Sequence, residues 1–484
     1  MKSVIGWCSV MLLAAWQSTS LYANALHESG ADSIIAENMQ ALLTDEVSES
    51  SASERQSVQQ AIPVAAKGEG SAMRGMANQD AMTLEEILAI ALRDNLGLVS
   101  KELQLQNKQL TASASFRKML PTMSLISKRS DIMRNTGGTD GITYDTTVTM
   151  TQPIYKGGAL WNNWKSAELQ ETQARLDLLH TARTLIKDVK TAWYSLLEKK
   201  LLLKEAEDTL VRLRQLENNA RSFFREGRMW RNEVLQANVR VAQGEQALIT
   251  AQNQVELARS ELNRLMRRSL NHSLETNGEL AWEKLPWTLE DAYAHAKIHR
   301  KDLEKAKLDV EVGELTEKST AAATSPTMDF SLAYNWNAQE ADYRDRDSKT
   351  TALLTMNWTA WNWGQTAQEV SAAKATTNKN RITYDDLLQT VLLETRKAFL
   401  TAQESALRLE VVKKSLQQAE ENYRVNQLRY REQLGTATDV LNALDLLTTT
   451  RNTYTSALAA YLTAMAALDL AAGKGPEDLE RTYE

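Results

Sequence analysis

Two stretches decide the fold: TLEEILAIAL at residues 83–92 and TLEDAYAHAK at residues 288–297, which begin 205 residues apart. Further landmarks recur in the same order at spacings of 205 or 206: PTM at 121–123 and 326–328, Met150 and Met356, Gly158 and Gly364, VLQA at 234–237 and VLNA at 440–443. Chance matches would not keep both order and spacing, so the sequence predicts two copies of one unit. We place the copies at residues 83–268 and 288–473, joined by an equatorial linker at 269–287.

The composition indicates that each copy is mostly long helix with a minor β part. Only 19 of 484 residues are Gly and 6 are Pro, about half of average usage or less, and a protein with many turns needs both. This argues against an ordinary α/β enzyme and a β-sandwich. Each copy is predicted to contain a helix, two strands, a very long helix and a final helix. The predicted bounds are 83–118, 121–133, 142–155, 159–224 and 230–268 in the first copy, and 288–322, 326–338, 349–361, 365–432 and 437–472 in the second.

The ends of the chain have different compositions from the repeats. Residues 1–25 are typical of a secretory signal, with Lys2, an apolar stretch and an Ala-Asn-Ala cleavage pattern at 23–25. Cys8, the only cysteine, lies inside it, so the mature chain is expected to have no disulfide. Residues 26–80 carry nine acidic and three basic residues and are predicted to be a disordered tail. Residues 474–484 form a short C-terminal tail.

The predicted helix lengths indicate how the helices of each copy pack together. Apolar residues such as Leu179, Ala182, Ile186 and Val189 recur at alternating steps of three and four, which is typical of a coiled-coil seam, although ordinary helical packing can also show it. The long helix of the first copy would span about 99 Å, and the two shorter helices about 58 and 54 Å. Each copy is therefore expected to be a two-layer hairpin, one continuous helix beside two stacked shorter ones.

The strand segments are long enough to cross a membrane, which takes about 9–11 residues per strand. Tyr144, Thr146, Val148, Met150 and Gln152 alternate on one face. Six aromatic residues at the strand-to-helix junctions are typical of a membrane-interface girdle, although packing into a soluble core is the alternative. They are Tyr155, Trp161, Trp164, Trp358, Trp361 and Trp363. Four strands cannot close a barrel and an open sheet edge is not viable in lipid, so membrane strands would require a dimer or a trimer.

This pattern resembles the TolC family of bacterial outer-membrane efflux and secretion channels. The residues that carry the resemblance are TLEEILAIAL with its copy, TQPIYKGG at 151–158 and YREQLGTATDVLNA at 430–443. The resemblance implies a homotrimer, with a shared 12-stranded β-barrel in the outer membrane and an α-helical barrel across the periplasm. It also implies an exit duct for drug efflux or type I protein secretion, working with a periplasmic adaptor and an inner-membrane transporter. The alternative is a soluble periplasmic coiled-coil adaptor or scaffold.

The resemblance also implies that the helix–turn–helix tips form a gated entrance. Asp439 matches the first acidic position of the family's constriction, with Asn442 and Asp445 on the next turns. Three copies of Asp439 around an axis would favour cations and raise one another's pKa; the alternative is a helix cap. Ala437 stands near the position of a restraining basic residue, for which Arg429, Tyr430 or Arg431 could substitute. The first-copy tip, predicted to be two residues longer, offers candidate adaptor contacts at Arg228, Trp230, Arg231 and Glu233.

The sequence offers no constellation for an enzyme or a cofactor. His295 and His299 are spaced as a possible metal pair on a helix, but no third ligand is near in sequence, and a solvated helix face is the favoured interpretation. The motifs of hydrolases, P-loop proteins and dinucleotide-binding folds are missing from the sequence. There is no concentrated basic patch for nucleic acid. The cargo, small compounds or an unfolded protein, cannot be chosen from the sequence.

Overall fold

The structure, a computed structural model, describes residues 82–132, 141–228, 230–338, 346–432 and 434–475. The predicted signal at 1–25 and the predicted tail at 26–80 lie outside the described residues, as does the C-terminal tail beyond Gly475. The helices and strands follow in chain order: α1 Leu84–Asp94, α2 Leu96–Arg117, β1 Thr122–Ile132, β2 Gly141–Lys156, α3 Ala159–Arg225, α4 Arg231–Leu265, α5 Leu289–His299, α6 Lys301–Ala321, β3 Thr327–Ala338, β4 Arg346–Asn357, α7 Gln365–Arg431 and α8 Ala437–Ala471.

The two copies have matching helices, which confirms the predicted class of mainly α with duplicated long hairpins. The long helices α3 and α7 have 67 residues each, and α4 and α8 have 35 each. Helix α3 packs against α1, α2 and α4 of its own copy, and α7 packs in the same way against α5, α6 and α8. Helix α3 also packs against α6 and α8 of the second copy. It is therefore the central element, flanked on both sides.

The first helix of each copy is broken, and the predictions of continuous helices over 83–118 and 288–322 were wrong. Asn95 separates α1 from α2, and Arg300 separates α5 from α6; both have extended backbone. The Asn95 Oδ1 accepts hydrogen bonds from the amides of Gly97 at 2.9 Å and Leu98 at 3.4 Å, which caps α2. Its Nδ2 donates to the Leu265 carbonyl at 3.0 Å. The break is thus fixed by contact with another helix.

The apolar core lies where α1, α2, α3 and α4 meet the linker between the copies. Its members from these helices are fully or nearly fully buried: Ile87, Leu98, Leu178, Val189, Trp193, Leu196, Leu262 and Met266. The linker contributes Leu274, which is also buried. At Gly278 a Cβ would lie 2.7 Å from the Trp193 ring, so the linker backbone rests directly on that indole. The linker is therefore part of the core and lies against the middle of α3.

The four strands form one antiparallel sheet in the order β1-β2-β3-β4, so the pairing of β2 with β3 joins the two copies. A bulge between Pro153 and Tyr155 interrupts that pairing. The sequence placed β4 at 349–361, but its pairing with β3 runs from Arg346 to Asn357. Residues 358–364 instead form the turn into α7, because Trp363 and Gly364 have positive φ.

The register gives the sheet one mainly apolar and one mainly polar face. Met150 pairs with Met123 on one side and with Leu332 on the other, and Leu332 pairs with Ala352. Because side chains alternate along a strand, these residues share a face. That face carries Met123, Leu125, Val148, Met150, Phe330, Leu332, Tyr334, Trp336, Ala352, Leu354 and Met356, together with the polar Ser127, Arg129, Thr146, Gln152 and Thr350. The other face carries Ser124, Lys128, Asp145, Thr147, Thr149, Ser331, Asn335, Lys349 and Thr351, together with the apolar Ile126, Ala333 and Leu353.

None of the helices described is both long and apolar enough to traverse a lipid bilayer.

The turn from β2 into α3 generates a stability prediction. Gly157 has a φ of 62°, and a Cβ there would lie 2.7 Å from the Ala322 carbonyl oxygen; Gly158 has a φ of 84°, and its nearest atom would lie 3.8 Å away. We expect Gly158→Ala to cost about 1–2 kcal/mol through backbone strain alone. Gly157→Ala should cost about 1–3 kcal/mol more, because it adds a clash with backbone. Thermal unfolding followed by circular dichroism should show the larger shift for Gly157→Ala; equal shifts would contradict the packing.

Candidate functional site

The turn between α7 and α8 is closed by backbone and side-chain hydrogen bonds. The Leu434 amide donates to the Arg429 carbonyl at 2.8 Å. Thr436 begins α8 as its cap: the Asp439 amide donates to Thr436 Oγ1 at 3.2 Å, and the Thr436 amide donates to Asp439 Oδ2 at 2.9 Å. This is a capping box, in which two otherwise unpaired helix donors are satisfied reciprocally. Asp439, the third residue of α8, is therefore part of the box that caps this helix, and its role in the pore stays a prediction.

Asp439 remains exposed while it serves as a cap. Hydrogen bonds from the backbone and hydroxyl of Thr436 lower the pKa of its carboxyl, and the positive charge of Arg429 lowers it further. In the single chain the shift is thus opposite to the one expected from three neighbouring carboxylates. In the single chain the group is therefore anionic at neutral pH.

The three candidate pore residues, Asp439, Asn442 and Asp445, lie on one exposed face of α8, three residues apart. The opposite face is buried through Val440, Leu441, Ala443 and Leu444. Asp445 pairs with Arg240 of α4 at 2.8 Å. The Thr438 hydroxyl donates to Gln236 Oε1 of α4 at 3.1 Å. These two bonds tie the second-copy tip to the first-copy tip, and sequence reasoning missed both, because α4 and α8 lie some 200 residues apart.

Tyr430 is a buried member of the tip, unlike its exposed neighbours Arg429 and Arg431. Its side chain is 4% exposed and meets the Phe223 ring edge-to-face at 5.9 Å. Burial raises the pKa of the Tyr430 hydroxyl to about 12, and the negative charge of Glu233 adds to this. Together with residues of α3 and α8 it forms an apolar cluster, here named the tip cluster: Leu213, Leu216, Tyr430, Ala437, Val440, Leu441 and Leu444.

The turn between α3 and α4 ends α3 with a glycine in the left-handed region. Gly227 has a φ of 73°, and the Arg228 amide donates to the Phe223 carbonyl at 2.9 Å, a Schellman arrangement. Both tip turns have five residues, at 226–230 and 432–436, so the prediction of a longer first turn was wrong. Trp230 caps α4 without a side-chain hydrogen bond.

The four candidate adaptor contacts differ in exposure. Arg228, Trp230 and Arg231 are exposed, and Trp230 is 83% exposed. Glu233 holds the position that Asp439 holds in the other copy, but it points inward. Its Oε2 is buried and has no hydrogen-bond partner among the described residues. Because Trp230 has no hydroxyl, Glu233 cannot form the capping box that Thr436 gives Asp439.

The six junction aromatics lie where the sheet meets the helices, and most are exposed. Trp361 and Trp363 are 73% and 90% exposed and meet edge-to-face at 5.9 Å. Trp164 is half-buried against Phe116, with centroids 5.5 Å apart, and Lys165 lies over its ring. Trp358 donates its indole N–H to the Thr324 carbonyl at 3.1 Å. Tyr155 and Trp161 are about half exposed.

His295 and His299 lie in the last turns of α5, where their side chains contribute to packing. Their rings stack at 4.1 Å, and His295 Nδ1 lies 2.7 Å from the Ala472 carbonyl, to which it donates. Across the described ranges, no group of three or more His, Cys, Asp or Glu side chains is arranged to hold a metal ion.

Several solved structures share this fold at low sequence identity. The Campylobacter jejuni CmeC outer membrane channel aligns with a TM-score of 0.74 and 14% identity, over 82% of this chain and 88% of that one. The open state of the Neisseria gonorrhoeae MtrE outer membrane channel gives 0.71 and 17%, over 81% and 89%. The outer membrane protein VceC of Vibrio cholerae gives 0.70 and 16%, over 81% and 96%. No curated protein sequence matches significantly.

A sequence profile identifies the family directly. The profile described as "Outer membrane efflux protein" matches residues 88–266 and 292–474, one segment in each copy. These two segments cover most of the chain. The resemblance to outer-membrane efflux channels and the outer-membrane localisation expected from it are thereby confirmed, and the chain belongs to the outer membrane efflux protein family.

Proposed function

We propose that three copies of this chain form an exit duct, with a 12-stranded barrel in the outer membrane and a helical tunnel across the periplasm. The observation that carries the proposal is the sheet: it has an apolar face, a polar face and two outer edges, β1 and β4. In lipid those edges must be paired. Eight strands from two copies would give an interior filled by side chains, whereas twelve from three copies leave a bore.

The helices support the same assembly. Within the described chain, the main contacts of α2 and α4 are with α3, and those of α7 are with α5, α6 and α8. The two outer columns carry exposed leucines at seven-residue spacing: Leu96, Leu103 and Leu110 on α2, and Leu393, Leu400 and Leu407 on α7. A heptad spacing is that of a coiled-coil seam. Helix α7 of one copy, which spans both levels, would therefore pack beside the stacked α2 and α4 of the next.

The duct would pass small toxic compounds or an unfolded protein, delivered by an inner-membrane transporter through a periplasmic adaptor. Arg228, Trp230 and Arg231 offer the adaptor a basic and aromatic surface at the first tip, with Glu233 behind them. The six junction aromatics would lie at the periplasmic edge of the membrane, where Trp and Tyr are favoured: Tyr155, Trp161, Trp164, Trp358, Trp361 and Trp363. The apolar sheet face disfavours the alternative of a soluble adaptor or scaffold. The proposal needs no catalytic site, cofactor or nucleic acid.

The assembly can be tested directly. The purified protein should require detergent, have the mass of three chains and conduct ions in planar bilayers, because the bore would be water-filled. A variant with Leu393, Leu400 and Leu407 changed to Asn should lose the trimer, because amides would replace the exposed apolar seam. A detergent-free monomer in the periplasmic fraction would overturn the proposal.

The pore role of Asp439 can be separated from its capping role. Asp439→Asn removes the charge and keeps an acceptor for the cap, whereas Thr436→Ala removes the cap, at about 1 kcal/mol, and keeps the charge. We expect Asp439→Asn to lower the preference for cations over anions in planar bilayers, and Thr436→Ala to leave it unchanged. If the two variants have the same selectivity as the unchanged protein, Asp439 does not line the constriction.

We also propose that the Arg240–Asp445 pair restrains the closed entrance, in the absence of a basic residue at Ala437, with Arg429, Tyr430 and Arg431 as further candidate restraints. Asp445→Arg should raise the resting conductance, because it places two positive charges together. The double exchange Asp445→Arg with Arg240→Asp should restore the low conductance by re-forming the pair. Arg429→Ala tests the alternative restraint in the same assay. A double exchange that conducts like the single variant would contradict the role of this pair.

A further inference from the structure

The strand-to-helix turn occurs twice in the chain, and the two turns differ at one position, which is Gly157 in the first copy and Trp363 in the second. In the first copy, Gly157 and Gly158 have φ of 62° and 84°; in the second, Trp363 and Gly364 have φ of 53° and 81°. A bulky residue in the left-handed region is strained, and such strain persists where a function requires it. Trp363 is 90% exposed within the single chain, where its ring meets the edge of the exposed Trp361, a weak contact to set against this strain.

The first-copy turn packs against a connection from the second copy. A Cβ on Gly157 would lie 2.7 Å from the carbonyl oxygen of Ala322 and 2.8 Å from the Cβ of Ser325. These two residues belong to the connection between α6 and β3, and Ala322 is 5% exposed. The first-copy turn is therefore covered by the connection that precedes the neighbouring strand pair, whereas a Cβ on Gly364 in the second-copy turn would have no atom within 4 Å.

The same connection exists in the first copy, between α2 and β1. The Leu120 amide donates to the Arg117 carbonyl at 3.0 Å, as the Ser325 amide donates to that of Ala322 at 3.0 Å. Gln152 donates to the Met119 carbonyl at 2.9 Å, as Trp358 donates to that of Thr324 at 3.1 Å. The two connections are thus built alike, but Arg117 and Leu120 are exposed.

We propose that Trp363 of one copy packs against the Arg117–Leu120 connection of the next copy around the ring. This rests on the proposed assembly, in which β4 of one copy lies beside β1 of the next as β2 lies beside β3. The contact would be the counterpart, between chains, of the one that Gly157 makes with Ala322 within the chain, but with the connection farther from the turn, because the spacing at Gly157 leaves no room for a Cβ. The indole fills the space between two chains, with Leu120 against the ring and the Arg117 guanidinium over its face, a favourable cation–π geometry.

Cysteine cross-linking tests the contact, because Cys8 is the only cysteine of the sequence and lies in the predicted signal. Protein carrying Trp363→Cys and Leu120→Cys, treated with a short bis-maleimide, should give covalent dimers and trimers on denaturing gels. The matched control is Trp230→Cys with Leu120→Cys, whose sites are separated by the length of α3 and should not cross-link. Each single variant should also stay monomeric on the gel.

The outcomes separate the contact from the assembly. A native trimer that gives no Trp363–Leu120 cross-link overturns the contact and leaves the duct standing. A protein that is monomeric in detergent overturns both the contact and the assembly.

The heat resistance of the trimer is a second measurement. Trp363→Gly relieves the backbone strain but removes the indole from the contact, so its trimer should dissociate at a lower temperature. Trp363→Phe should recover most of the lost heat resistance. A trimer of Trp363→Gly that is as heat-resistant as the unchanged protein would also overturn the contact.

Discussion

The pairing of β2 with β3 sets the second copy beside the first, and the rest of the architecture follows from it. It fixes the register in which Met150 faces Leu332, and so keeps the apolar face continuous across the boundary between copies. It also brings α3 against α6 and α8. A unit that can pair with its own copy in this way exposes one complementary edge on each side, at β1 and at β4. Duplication alone therefore supplies the geometry for a ring.

Much of the fold follows from local sequence. The low Gly and Pro content predicted helices of this length, and the recurrence near 205 residues predicted α3 and α7 within one residue at each end. The helix breaks were missed because they depend on distant partners. Asn95 reaches the Leu265 carbonyl, and Arg300 pairs with Asp302 and Glu394. Neither residue has a helix-breaking propensity strong enough to mark a break in an otherwise helical run.

Some features of the candidate site also follow from local sequence, whereas others depend on contacts between distant segments. The spacing of Thr436 and Asp439 matches the capping box, a local signature, and the structure has that box. The burial of Tyr430 depends on Phe223 and on α8, which the sequence does not bring together. The contrast between Glu233 and Asp439 has a local cause, Trp230 in place of Thr436. Its consequence, a carboxylate oxygen turned inward, requires the packed structure.

The contacts between α3 and α8 change from apolar near the tip to polar towards the middle of α3. This change bears on how the proposed entrance would open. Near the tip, Leu213 and Leu216 belong to the tip cluster. Towards the middle the contacts become polar: Glu205 pairs with Arg451 at 3.3 Å, Thr209 meets Thr448 at 3.0 Å, and Ser456 donates to Glu198 at 2.6 Å. Beyond them lies the apolar core around Trp193 and Leu196. Polar contacts can be exchanged for water at a net cost of about 1 kcal/mol each, whereas the core cannot be parted without exposing large apolar side chains. In the proposed duct, the polar zone would therefore be the segment over which the tip shifts while the core stays closed.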